Sequence, residues 1–179
     1  MAEFDYELWK ARAWERFGRA LRSGKPKRVI EPAWVADVLA VDSLSVLVEW
    51  CRGRGLKVDF VKKTGGTYYP GSKEVKISSR LSPTNQVVYL LHECGHHLIG
   101  MKEHDERFGM GYPQTDPAVK RTFQHKLACL DEEIEAWHRG WRLACRLGIR
   151  IDPDAYESVR LKCLRSYVKW SLTSTVKDD

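Results

Sequence analysis

Apolar positions near the start of the chain fall at helical spacing. Leu8, Ala11, Trp14, Phe17 and Leu21 share one side of residues 4–21, with arginines opposite, which predicts an amphipathic helix. Glycine and two prolines in the stretch 23–32 interrupt it. A second helix is predicted over 33–52, with Pro32 at its first turn and a stop at Gly53 and Gly55. The period then shortens to two. Leu56, Val58 and Phe60 share a face, and after turns at Gly65-Gly66 and Pro70-Gly71-Ser72 come Thr67-Tyr68-Tyr69 and Glu74 to Ser78. Three short segments joined by tight turns predict a small antiparallel sheet. Ser82 and Pro83 then open a helix, as cap and first residue, which runs through Leu90 and Leu91 and stops near Gly100. Residues 101–117, with Gly109, Gly111 and Pro113, read as looser. A further helix is expected over 118–147, ended by Gly148, and a last one from Asp152-Pro153, with Tyr156, Val159, Cys163, Tyr167 and Trp170 on one side. Residues 173–179 are expected to fray. Helices, then strands, then helices, without βαβ alternation, define an α+β class: a three-stranded sheet packed on a helical bundle.

A length of 179 residues suits a single domain over 1–179, with N-terminal helices in 1–55, sheet and central helices in 56–150 and a C-terminal helix in 151–172. Hydrophobic residues make up 43% and charged residues 30%, which excludes a disordered chain. No apolar run is long enough to span a bilayer, and acids among the first residues argue against a secretory signal, so the expectation is a cytoplasmic protein without a membrane partner. Five cysteines stand singly with no C-x-x-C pair, which argues against a disulfide framework or a cysteine zinc knuckle; each reads as a small buried filler. The net charge is +6, concentrated at Arg12, Arg16, Arg19, Arg22, Lys25, Lys27 and Arg28 and at Arg139, Arg142, Arg146 and Arg150. Such clusters suit a nucleic acid or an acidic partner, or simply form solvated helix faces.

The chemistry concentrates at His92-Glu93-Cys94-Gly95-His96, an H-E-x-x-H motif inside the helix expected after Ser82. Residues four apart on a helix are rotated by only about 40°, so both imidazoles can reach one ion at about 2.0–2.1 Å. Glu93, one step round, can touch a water on that ion without binding it, and so act as general base and then acid. Gly95 leaves room beside the ion. A catalytic zinc site needs a third protein ligand. Of the acids in Asp131-Glu132-Glu133-Ile134-Glu135, Glu133 lies at the margin of the stripe Leu127, Leu130, Ile134, Trp137, Trp141; Glu135 flanks it on the other side, and Glu132 points further out. Ala136 and Gly140 keep the adjoining surface small enough for close helix approach. His104 is a rival ligand, although its spacing does not fit the metzincin pattern. His97 reads as a polar neighbour of the site, and His125 and His138 as surface residues.

The segments GGTYYPGSKEVKISSRLS, LLHECGHHLIG and DEEIEAWHRGWRLACRLGI together resemble the minigluzincins, compact zincin-like metallopeptidases that include the ImmA/IrrE-type and related phage-encoded enzymes. The likeness covers residues 56–150. It implies His92 and His96 as zinc ligands, Glu93 as the catalytic carboxylate, and the first glutamate of Glu133-Ile134-Glu135-Ala136 as third ligand. It also implies cleavage of a specific intracellular protein, such as a repressor, held by strand addition along Val75 to Ser79. Relatives often carry Asp or Asn after the alanine, where this chain has Trp137, so a partner for one histidine is missing or comes from elsewhere. Tyr68, Tyr69 and Tyr112 are candidate oxyanion donors. The competing expectation is a non-catalytic zincin-like module in which zinc is structural and the basic faces bind protein or nucleic acid.

Overall fold

A computed structural model describes residues 33–63, 65–109, 111 and 116–173. The expected helix at 4–21, its basic cluster, Tyr112 and the chain end beyond 173 lie outside them. Helix α1 (Ala33–Arg52) leads into strands β1 (Lys57–Val61), β2 (Gly66–Tyr69) and β3 (Glu74–Ser78). Five helices follow: α2 (Pro83–Ile99), α3 (Met101–Phe108), α4 (Pro117–Lys120), α5 (Phe123–Leu147) and α6 (Pro153–Thr173). The class is α+β.

The sheet is mixed rather than antiparallel. Its order is β1-β3-β2, with β3 antiparallel to β2 and parallel to β1. The turn after Tyr69 makes the expected hairpin, but the link after Val61 does not. It carries the chain across two strand spacings, about 10 Å, and leaves a slot that β3 fills. Being central, β3 carries the apolar face: Val75 and Ile77 are fully buried against α2, whereas Phe60, expected to share the inner face of β1, is 43% exposed.

Local signals set the helix ends. Ser82 accepts a hydrogen bond from Asn85 N at 3.4 Å and Pro83 occupies the first turn of α2. The helix expected from residue 118 is broken: α4 is a single turn, and Thr122 re-caps the chain by accepting from His125 N at 3.1 Å. Gly148 stops α5 in the left-handed region at φ 67°, with its N–H turned back to the last carbonyls. Residues 101–108, expected to be loose, are helical because Phe108 is fully buried with Ile99 and Ala136 and fixes α3 against α5.

The core joins Leu47 and Cys51 of α1, the inner face of β3, Val87, Val88, Leu90, Leu91 and Cys94 of α2, Trp137, Leu143 and Ala144 of α5, and Tyr156 of α6. At its centre α2 and α5 touch backbone to backbone. A Cβ on Gly95 would sit 1.9 Å from the Ala136 carbonyl oxygen, and one on Gly140 2.5 Å from that of Leu91. The space at Gly95 is therefore filled by the neighbouring helix, not left for an ion. Cys51, Cys94 and Cys129 are buried fillers and Cys163 is half-buried against the core, but Cys145 is exposed. Among the described residues no helix is long and apolar enough to cross a membrane.

Candidate metal centre

One turn of α2 sets the His92 and His96 rings together, with centroids 4.7 Å apart. The close approach of α5 delivers Glu133 between them: Oε2 lies 3.1 Å from His92 Nε2 and Oε1 3.4 Å from His96 Nε2. One ligand atom from each of the three lies within 4.8 Å of the others, so the buried group could hold a metal ion. With only 7% of His92 and 6% of Glu133 exposed, water screens these charges little.

Each ligand has its own support. His96 Nδ1 donates to Glu132 Oε1 at 3.1 Å, and Glu132 Oε2 lies 3.4 Å from His104 Nε2 on α3. Glu132, judged the most outward acid from helix angle, is thus buried behind the site, because α3 adds a wall there. His104 serves that wall and stands outside the group of three. His92 is held differently: its ring stacks on Trp137 with centroids 4.2 Å apart and 17° between planes. Its Nδ1 is buried and has no hydrogen-bond partner among the described residues. His96 thus has a carboxylate partner in Glu132, whereas His92 rests on a stacked indole.

Glu93 leaves the three and turns toward β2. Tyr68 N–H donates to its carboxylate, and a Cβ on Gly66 would lie 2.6 Å from its Oε1, so the strand backbone lies directly against it. Burial pushes the Glu93 carboxyl above its ordinary range, and Glu133 adds to this; the two imidazoles and the Tyr68 N–H oppose it. Glu133 goes the other way. Burial resists its charge, but hydrogen bonds from both imidazoles hold it well below the usual carboxylate range.

Tyr68 Oη lies 3.1 Å from His97 Nδ1, which accounts for His97 as a polar neighbour. Tyr69 is 39% exposed beneath Lys76. Among the described residues, the phenol that reaches the group is Tyr167 of α6, which donates to Glu133 Oε1 at 2.6 Å. Its place on the inward stripe of the last helix was the available signal. His138 is exposed as expected, but His125 is buried, with Cys129 Sγ 3.7 Å from its Nε2 and Trp170 edge-on. The end of α6 covers it. Of the later basic cluster, Arg139 is engaged by Glu103, Glu135 and the Leu98 carbonyl. Arg142, Arg146 and Arg150 are exposed. Glu135, the other flanking acid, is accordingly committed to Arg139.

Burial disfavours a charged His96, yet hydrogen bonds with Glu132 and Glu133 outweigh it and push the imidazole up to about 10, against an ordinary 6.5. The metal-free folded protein therefore holds a proton that the unfolded chain releases near pH 6.5. That stabilisation is complete below pH 6.5 and disappears as pH rises toward 10. In chelator-treated protein, the melting temperature should fall by at least about 5 °C from pH 7 to 9.5, beyond any fall in His96→Gln. Parallel pH profiles for the two proteins would remove this role for His96.

No family model, no curated protein and no solved structure matches the chain.

Proposed function

We propose that this chain is a zincin-like zinc metallopeptidase of the minigluzincin type. One observation carries the reading: a buried carboxylate from a second helix bridges the H-E-x-x-H imidazoles, while the motif's own glutamate stands off against a strand edge. The donor set fits zinc. Two imidazole nitrogens and one carboxylate oxygen make three protein ligands, the number that leaves a position for water. The ion supplies Lewis acidity, which brings the pKa of a water toward neutrality and polarises a carbonyl.

The rest belongs to the chain. Glu93, close to the three ligands but not one of them, accepts the proton of the attacking water and returns it to the leaving amine. The substrate strand is assigned to β2, not to Val75–Ser79. β3 is bonded on both sides, while β2 is the edge whose Tyr68 N–H meets Glu93. An extended segment added along β2 would bring its scissile bond to that carboxylate. The target class is an intracellular protein, such as a repressor.

Glu93→Gln keeps the size of the side chain and removes the base. With zinc added, both proteins should hold one ion, and cleavage of a proteome-derived peptide library, read by mass spectrometry, should fall about 10³-fold in the variant. Equal cleavage by both, or no zinc bound by either, would overturn the proposal.

A further inference from the structure

The last helix lies beyond the segments that suggested a peptidase, yet it reaches the candidate centre. Tyr156 Oη donates to the Trp137 carbonyl at 2.7 Å, and Lys126 Nζ donates to the Ser171 carbonyl at 3.1 Å. These contacts fix α6 on either side of Tyr167. Its phenol is thereby held against Glu133 Oε1 at 2.6 Å, a short charge-assisted hydrogen bond. The two oxygens of Glu133 thus have different partners. Oε2 faces only His92 Nε2 in these contacts, whereas Oε1 is shared by His96 Nε2 and the phenol.

We infer that Tyr167 is a positioning residue for the metal centre: by occupying one oxygen of Glu133, it makes that carboxylate present a single oxygen to the ion. This rests on the metal reading above. A carboxylate that offered both oxygens would take the place that a four-coordinate catalytic site keeps for water. A hydrogen bond to the second oxygen opposes this and fixes the carboxylate in one orientation between the two imidazoles, so that less order has to be gained when an ion binds. Outer partners of this kind typically change metal affinity or activity by about 10–100-fold.

Tyr167→Phe removes one oxygen and keeps the ring. Zn2+ affinity, measured by competition with a chromophoric chelator, should weaken about 10–100-fold. The visible spectrum of the Co2+-loaded variant should lose intensity, as a coordination number above four requires. Tyr156→Phe is the control, because it removes a hydroxyl that anchors the same helix and does not touch Glu133. It should melt lower with unchanged affinity and spectrum. Equal loss of affinity in both variants would assign the effect to helix docking and overturn the inference. So would a Tyr167→Phe protein with parental affinity and spectrum, even with lowered turnover, which would place the phenol on substrate instead. A parent chain that binds neither Zn2+ nor Co2+ would remove the metal reading itself.

Discussion

Gly95→Ala should melt at least about 5 °C below the parent and bind zinc poorly, although alanine is the better helix former by about 1 kcal/mol. Sterics decide the sign. The added methyl would lie 1.9 Å from the Ala136 oxygen, 2.7 Å from its carbonyl carbon and 3.0 Å from its Cα. Carbon contacts settle near 3.5–4.0 Å, so the helices would have to part by more than about an ångström. No side-chain rotation can supply that, because the obstructing atoms are backbone. Overpacking a flexible core costs about 1–3 kcal/mol, and this rigid contact should cost more. At about 2–4 °C per kcal/mol for a chain of this size, the melting point records the strain directly. The same separation draws Glu133 away from the two imidazoles, so metal affinity falls with stability. Gly71→Ala, with nothing within 4 Å of the added carbon, should change stability by no more than about 0.5 kcal/mol. Indistinguishable melts for the two variants would mean that the close helix crossing does not assemble the site.

Part of this arrangement was legible in the residues. The spacing of His92 and His96 fixes their shared direction, and the apolar stripe of α5 puts Glu133 at its margin, because both follow from helix geometry alone. What lay outside that reach depends on third partners. A helical wheel gives the direction of Glu132 relative to α2 but cannot reveal that α3 closes over it. The glycines after Phe108 made 101–117 look loose, while the burial that holds 101–108 helical comes from Ile99 and Ala136. The sheet order misled for a related reason. Turn chemistry speaks for neighbouring strands, whereas β1 pairs with the strand after next. Tyr167 sat on a recognised inward stripe, yet periodicity says only that a residue faces in, never what it meets.

Glu133→Ala should weaken zinc binding by at least about 10³-fold, while His104→Ala loses no more than about tenfold. Structural zinc sites in small proteins contribute on the order of 10–16 kcal/mol through four ligands, so each ligand accounts for several kcal/mol, and tenfold in affinity is about 1.4 kcal/mol. His104 faces Glu132 Oε2 at 3.4 Å, and can reach the ion only through Glu132 and His96, a route that usually carries far less. The two substitutions also separate in the metal-free state. Removing Glu133 leaves His96 with Glu132 alone and takes away the acceptor of Tyr167, so a buried ion pair is broken on one side, which typically costs about 3–5 kcal/mol. His104, whose contacts are peripheral to the three, should cost much less. Zinc affinity by chelator competition, beside thermal melts in excess chelator, reads both quantities on the same samples. Should His104→Ala release the metal while Glu133→Ala retains it, the third ligand would belong to α3, and the reading of α5 as the ligand-bearing helix would be lost.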